Sequence, residues 1–361
     1  MSAHRPRLFV PLALRVEVAA KAVLRTRITE LLRIRHPIVG GCMMHISGPE
    51  FVAAISNAGA LGMMASAMFP SQEEFRQAVR KARSLTDRSF GVNLSLHPAI
   101  RPIDNELYVQ VVLEEGVPVV ETSGHRPPEE LLAQLKAGGV TTMHKCVSLQ
   151  HAITAQKAGV DAVTVFGTEG GGHIGEFGLT TMVLVPRVVD ELRIPVLAAG
   201  GIADGRGLLA ALALGAEGVT MGTRLLLSEE CPIHVNVKRA LAAAGELDTV
   251  PVLASLRNTM RSWRNAAALK VIDLEARQAD LWEILELVGG AQSKRMYQQG
   301  DVDCGVMACS QSIGSVRDVK PLAVIFQEMV DLAERRRLEI GEWAASDDPG
   351  RAIARGGGGP V

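Results

Sequence analysis

Short apolar stretches recur between residues 36 and 226, and an amphipathic stretch follows each of them. Runs that are apolar throughout are typical of strands covered on both faces, as in parallel sheets packed against helices. Eight strands are predicted: His36–Val39, Leu61–Ser66, Phe90–Leu96, Val117–Thr122, Thr141–Cys146, Ala162–Phe166, Pro195–Ala199 and Gly218–Met221. Eight strand–helix units in series favour an α/β fold of the (β/α)8 TIM barrel type over a doubly wound sheet, although strand number alone leaves both open.

The stretches between these strands carry helix signals. Ser71 with Glu74 three residues later has the spacing of a capping box at a helix start. Glycines stand where four predicted helices should end, and a left-handed residue at such a position terminates a helix. These glycines are Gly59, Gly138, Gly159 and Gly215.

The rest of the chain divides into three further parts. The basic N-terminal residues 1–26 are predicted to form a flexible extension, with a transit-like or membrane-touching helix as the alternative. The pattern changes after Arg224, so a helical insertion or cap without a clear strand is predicted at about 229–301. The remaining predictions are a barrel over 27–228 and about 302–340, a last barrel helix near 320–337, and a flexible tail over 341–361.

Composition excludes several classes of function. Lys and Arg number 38 against 39 Asp and Glu, which leaves no basic field for nucleic acid or a membrane surface. No apolar stretch reaches the ~18 residues of a transmembrane helix. Five cysteines without paired spacing indicate a reducing compartment, hence the cytoplasm, and no metal-ligand spacing is present. The expected partner is a small-molecule substrate, and a homo-oligomer stays open.

The chemistry of a barrel lies at the carboxyl ends of its strands. The loops after the last two predicted strands carry Gly200-Gly201 and Gly222-Thr223. Loops at these positions commonly form a phosphate site, and a helix predicted to start near Asp204 would point its positive end there. The alternative is that these glycines only let the backbone turn.

Two side chains near the barrel mouth are candidates for chemistry. Lys145 ends an apolar strand, so it must meet water or an anion such as a phosphate or the edge of an anionic flavin ring. A lysine that reaches solvent is the alternative. His173 lies in a glycine-rich loop where its ring is reachable, and its pKa range suits a general base. A histidine that only bonds a loop carbonyl is equally compatible with the sequence.

The chain resembles the nitronate monooxygenase family, formerly called 2-nitropropane dioxygenases, over about residues 25–335. The resemblance rests on an ordered set of motifs: His36-Pro37-Ile38, Asn57 to Gly62, Phe90 to Asn93, His144-Lys145-Cys146, Gly171 to Glu176, Ala199 to Gly205, Met221 to Arg224 and Tyr297 to Asp301. Members of this family are FMN-dependent TIM-barrel flavoproteins, so the resemblance implies FMN as the cofactor.

The resemblance also implies roles for particular residues. The active-site histidine of the family matches His173. The FMN contacts match Cys42, Met43, Met44, Ser95, Lys145, Gly171 and Gly172, and the phosphate end matches Ala199, Gly200, Gly201, Gly222 and Thr223. The implied reaction is the oxidation of alkyl nitronates with O2 to a carbonyl compound and nitrite. Met44 stands where members often have a polar residue, which removes a contact to flavin or substrate.

The segment Ser255 to Asn265 is similar to a subgroup that contains NADH:quinone reductases. It is read as an arginine-rich helix whose Arg257, Arg261 and Arg264 could hold the pyrophosphate of NAD(P)H or of a CoA-type substrate. The alternative is a solvated helix face. A second hypothesis is therefore an NAD(P)H-dependent flavin reductase of quinones or enoyl- or acyl-CoA compounds. A third, suggested by Cys42 and Met44, is a non-catalytic barrel that binds FMN or a phosphate ligand.

Overall fold

The computed structural model describes residues 24–96, 104–124 and 126–345. Most of the predicted N-terminal extension and of the predicted tail lie outside the described residues. Thr26 is described and caps the first helix, since its hydroxyl accepts a hydrogen bond from the Thr29 amide.

Eight parallel strands close into a barrel, which confirms the predicted TIM-barrel fold. Each lies within one residue or two of its predicted position. The barrel strands are β1 (Ile38–Gly40), β2 (Leu61–Ala65), β3 (Phe90–Ser95), β4 (Val119–Ser123), β5 (Thr141–Cys146), β6 (Ala162–Phe166), β8 (Val196–Ala199) and β9 (Gly218–Met221). Closure comes from the pairing of β1 with β9, where Val39 lies opposite Thr220.

The described helices alternate with the barrel strands as predicted, and more follow β9. Their bounds are α1 (Arg27–Leu32), α2 (Pro49–Asn57), α3 (Gln72–Leu85), α4 (Asn105–Glu114), α5 (Glu129–Ala137), α6 (Leu149–Ala158), α7 (Thr181–Val189), α8 (Gly205–Ala213), α9 (Thr223–Leu226), α10 (Val235–Ala243), α11 (Ala266–Ala276), α12 (Leu281–Val288), α13 (Gly290–Gln299) and α14 (Leu322–Ala345). Short 3-10 helices lie at Ser66–Met68 and Gln311–Ser315. None of these described helices is long and apolar enough to cross a membrane.

The predicted start of α3 and three of the four predicted helix ends are confirmed, and the fourth helix end is wrong by one residue. Ser71 caps α3, its hydroxyl accepting from the Glu74 amide at 3.2 Å. Three of the four glycines have the left-handed backbone predicted for them, with φ of 97° at Gly59, 89° at Gly159 and 93° at Gly215. At α5 the prediction is wrong by one residue, because Gly138 has φ of −82° and Gly139 takes the left-handed position with φ of 73°.

Alternation along the strands decides what fills the barrel. A layer of apolar side chains from α1 and six strands forms one buried cluster: Ile28, Leu32, Val39, Leu61, Met63, Val119, Met143, Ala162 and Leu197. Successive side chains of a strand point to opposite faces, so the residue two positions further on returns to the same interior. Glu121, Lys145 and Thr164 are the residues two positions beyond Val119, Met143 and Ala162, and they lie nearer the carboxyl end of the barrel.

The segment at 229–301 is not purely helical, which corrects the prediction for it. It contains β10 (Thr249–Val252) and β11 (Met260–Trp263), which pair antiparallel. Both are short, and Pro251 within β10 is typical of an edge strand. Their third partner is β7 (Gly172–His173), far away in the chain, so no local pattern announces the sheet. The last helix also runs further than predicted, because α14 includes residues 341–345 of the predicted tail.

Candidate active site

A cavity of about 530 Å³ opens at the carboxyl ends of the barrel strands. The barrel loops form one side, and residues of β11, α13 and the segment at 306–312 form the other. Twelve of the residues predicted for the site line it: Cys42, Met43, Met44, Ser95, Lys145, Gly171, Gly172, His173, Gly200, Gly201, Gly222 and Thr223. Ala199 does not; it is buried at the end of β8, and its carbonyl accepts from the Gly167 amide and the Thr181 hydroxyl.

Polar side chains from four neighbouring strands meet beneath this cavity. We call Asn93, Glu121, Ser123, Lys145 and Thr164 the floor cluster. The Lys145 ammonium lies 3.2 Å from Glu121 Oε2. The Asn93 amide donates to the same oxygen at 2.8 Å, and the Thr164 hydroxyl donates to Oε1 at 3.2 Å. The anion that meets Lys145 is therefore a carboxylate of the chain itself.

The floor cluster fixes the charge state of its lysine. Burial alone lowers the pKa of Lys145, but the Glu121 carboxylate and its hydrogen bond outweigh burial and leave the pKa above its usual 10.5. Lys145 is thus a cation, and its charge is balanced by Glu121. Burial raises the pKa of the adjacent Cys42 thiol to about 12, so this thiol is neutral despite the nearby lysine.

Glu121 was missing from the sequence-based candidates. A signal for it existed, since it is the one acid in a strand predicted to be apolar on both faces. Such a carboxylate has to be paired inside the protein. Its partners come from three other strands, and only the register of the barrel identifies them.

The two glycine loops after β8 and β9 lie together at another edge of the cavity. Gly200 and Gly201 have left-handed backbones, with φ of 101° and 73°. Within the described part of the chain, the amides of Gly201 and Gly222 donate to no protein acceptor. These N–H groups suit an anion such as a phosphate.

Helix α8, which was predicted to point its positive end at this anion, does not begin at the edge formed by the glycine loops. The Asp204 carboxylate accepts from the amides of Arg206 at 2.8 Å and Gly207 at 3.4 Å, so it already caps α8. Asp204 also lies in a separate small cavity. The short helix α9, which starts at Thr223 beside Gly222, is the one that begins at the glycine edge.

His173 also lines the cavity, on the strand β7. Its backbone pairs with Met260 of β11, so the three-stranded sheet of β10, β11 and β7 sets its position. The ring stays exposed to the mouth. The protein atoms around it lower its pKa below the usual 6.5 by desolvation, against a smaller opposite effect of the Asn258 backbone. The ring is therefore a neutral imidazole near pH 7, as a base requires.

Gly171 and Gly172, which precede His173, allow close packing against the segment at 308–310. A Cβ at Gly171 would lie 2.6–2.7 Å from backbone atoms of Cys309 and Ser310. Gly172 has φ of 100°, which disfavours any other residue. These glycines hold the segment at 308–310 against the loop that carries His173.

The three arginines proposed to bind a pyrophosphate do not line the cavity, and their segment is a loop and a strand instead of a helix. Arg257 is 85% exposed and pairs with Glu176 at 3.4 Å. Arg261 donates to the Thr168 carbonyl at 2.8 Å and to the Thr249 hydroxyl at 3.2 Å. Arg264 is exposed. The guanidinium groups of Arg257 and Arg261 are thus engaged by partners in the protein.

A closed (β/α)8 barrel with a cavity at the carboxyl ends of its strands defines the class of TIM-barrel enzymes. The family model described as nitronate monooxygenase matches residues 25–331. The chain therefore belongs to the nitronate monooxygenase family, and it is an oxidoreductase.

Relatives of this chain carry different names. A (3aS,4S,5R,7aS)-5-hydroxy-7a-methyl-1-oxo-octahydro-1H-indene-4-carboxyl-CoA dehydrogenase of Rhodococcus jostii is 36% identical over 89% of this chain and 99% of its own length. A probable nitronate monooxygenase of Staphylococcus saprophyticus is 35% identical over 63% of this chain and 75% of its own. The structure of FabK from Thermotoga maritima superposes with a TM-score of 0.83 at 37% identity, covering 89% of this chain and 99% of that one.

Proposed function

We propose that this chain is an FMN-dependent oxidoreductase that transfers two electrons between a nicotinamide cofactor and a CoA thioester, either from NAD(P)H to an enoyl-CoA or from an acyl-CoA to NAD(P)+. The observation that carries the choice of substrate is the charge of the cavity. Among the described residues that line it, Lys145 is the single lysine or arginine, and Glu121 already balances its charge. A small anionic substrate such as a nitronate would find no free cation there, whereas a neutral acyl group needs none.

The residues of the cavity fit FMN. Its volume of about 530 Å³ lies within the ~300–1,000 Å³ typical of ligand pockets. Lys145, Ser95 and Asn93 offer polar groups for a flavin ring, and the free amides of Gly201 and Gly222 suit its phosphate. When bound, FMN would supply the two-electron chemistry that oxidation of a nicotinamide cofactor requires.

The open side of the cavity suits an apolar acyl group. Its lining there is largely aliphatic or thioether in character: Met44, Ile46, Met260, Val288, Val306 and Ala308. Met44 is 46% exposed, so it offers apolar surface to whatever enters the mouth. The Rhodococcus jostii relative, which aligns over almost its whole length, is named for a CoA thioester. The phosphates of CoA would remain outside this apolar part.

His173 would handle the proton of this reaction. Its ring is exposed to the mouth and neutral near pH 7. In the oxidative direction it would accept a proton from the substrate carbon next to the thioester, and in the reductive direction it would return that proton. The strand pairing of β7 with β11 would hold the imidazole in place during both transfers.

Oxidation of alkyl nitronates with O2 is the second candidate. It is supported by the family model and by His173, which could position a nitronate or deprotonate a neutral nitroalkane. We place either activity in the cytoplasm, in keeping with five cysteines that are all unpaired.

Anaerobic mixing separates these candidates. We expect NADH or NADPH to bleach the flavin absorbance of the purified holoenzyme, and a trans-2-enoyl-CoA to restore it. Arg257→Ala should leave the rate of bleaching unchanged, because Arg257 lies outside the cavity and pairs with Glu176. Bleaching by an alkyl nitronate, with none by either nicotinamide, would establish the second candidate and exclude the first.

A further inference from the structure

Glu121 has no role yet in the proposed reaction, although its burial is costly. The side chain is 1% exposed and does not line the cavity. A carboxylate taken out of water is kept in a protein only with close partners. Its position beneath Lys145, which does line the cavity, connects it to whatever binds above.

Both carboxylate oxygens of Glu121 are held by groups from other strands. Oε2 accepts from the Asn93 amide at 2.8 Å and faces the Lys145 ammonium at 3.2 Å. Oε1 accepts from the Thr164 hydroxyl at 3.2 Å. The Asn93 side-chain oxygen in turn accepts from the Ser123 hydroxyl at 3.4 Å. The carboxylate is therefore fixed in place by three strands besides its own.

This fixed carboxylate determines the charge at the cavity floor. Lys145 is 21% exposed, and it could reach further into the cavity if nothing held it. Glu121 keeps the ammonium at the floor and leaves the pair with no net charge. The other titratable groups that interact with the pair carry no charge. Burial raises the pKa of the Cys42 and Cys146 thiols, and it lowers the pKa of His144, on the outer face of β5, to about 4.

We propose that Glu121 is a positioning residue that anchors and neutralises Lys145, and that it thereby lowers the reduction potential of a flavin bound above the floor cluster. This inference rests on the proposed FMN cofactor. Reduction adds negative charge to the space above Lys145. A free ammonium there would favour reduction, and a paired carboxylate opposes it. The chain would thus offer a cation to a bound flavin without making that flavin strongly oxidising.

The test is the midpoint potential of the holoenzyme, measured against redox dyes. Glu121→Gln removes the charge but keeps the shape, and we expect it to favour flavin reduction at least tenfold, a rise of about 30 mV for a two-electron couple. Lys145→Met should shift the potential in the opposite direction. Glu121→Asp, which restores the charge, should return towards the wild-type value. Thr164→Val is the matched control, because it removes a hydrogen bond to the same carboxylate without changing charge.

The double variant keeps the inference testable if Glu121→Gln alone fails to fold. Adding Glu121→Gln to Lys145→Met removes both charges, and it should raise the potential relative to Lys145→Met alone. An unchanged potential in both backgrounds would overturn the role of Glu121. So would a shift of the same size in Thr164→Val, since that would reveal a structural effect. Failure of the wild-type protein to bind FMN would instead overturn the proposed function.

Discussion

The floor and the mouth of the cavity are built on opposite principles. The floor cluster comes from adjacent barrel strands, is buried, and satisfies its charges within the protein. The mouth comes from the loop after β1 and from β7, β11 and the segment at 306–312, and it presents exposed apolar groups such as Met44 together with the ring of His173. Rigid strands hold the electrostatic part of the site, and loops and a small sheet hold the part that opens outward.

This difference has a physical reason. Charged groups in a low-dielectric interior need partners at fixed distances, and strand register supplies those distances. Apolar contacts are non-directional, so a loop such as 42–46 can provide them without exact placement. The variants below test whether floor and mouth differ as the structure indicates.

The largest effect on stability should come from the floor. Glu121→Leu leaves the Lys145 ammonium beneath the cavity without its partner, and we expect the free energy of unfolding to fall by about 3 kcal/mol. Met44→Ala at the mouth is the matched change, and there we expect less than ~0.5 kcal/mol because Met44 is half exposed. Urea denaturation of both variants measures the difference. Equal losses of unfolding free energy in the two variants would mean that the floor contributes no more to stability than the mouth.

The largest effect on catalysis should come from the mouth. His173→Ala should lower kcat/KM about 100-fold, equivalent to about 2.7 kcal/mol, as expected for loss of a general base. In the direction in which His173 accepts a proton, the neutral ring is the active form. Its pKa is lowered, so wild-type activity should persist below pH 6.5 and decline only as pH falls through that lowered pKa.

The pH profile of kcat/KM provides the check on His173. The acid limb should disappear in His173→Gln, which keeps a polar side chain but cannot act as a base. An acid limb of unchanged position in that variant would assign the titration to another group.

Substitutions at two glycines of the site should distinguish a role in packing from a role in binding FMN. A Cβ at Gly171 meets the backbone of Cys309 and Ser310 within 2.7 Å, so Gly171→Ala should cost about 2 kcal/mol of stability. At Gly222 the nearest atom is Met43 Sδ at 3.5 Å, so Gly222→Ala should fold with less than ~0.5 kcal/mol lost. We expect Gly222→Ala to weaken FMN binding about tenfold, seen by fluorescence titration. An unchanged FMN affinity would show that the phosphate does not bind at this loop.

Much of the fold was predictable because its signals are local. Apolar runs marked each barrel strand, Ser71 marked the start of α3, and Gly59, Gly159 and Gly215 marked helix ends. The loops at Gly200 and Gly222 were identified as cavity residues from their place after strands. The sequence does not predict β10 and β11, since each has only four residues, β10 contains Pro251, and both need the distant β7 to become a sheet.

The sequence by itself determined the barrel and twelve of the residues that line its cavity, because strand periodicity and strand ends are properties of neighbouring residues. Only the tertiary structure decided which charges meet. It paired Glu121 with Lys145 across adjacent strands, drew Arg257 and Arg261 to partners outside the cavity, and put the start of α9 at the glycine edge where α8 was expected. Such pairings depend on barrel register and on contacts between distant segments, and neither is encoded in a local pattern.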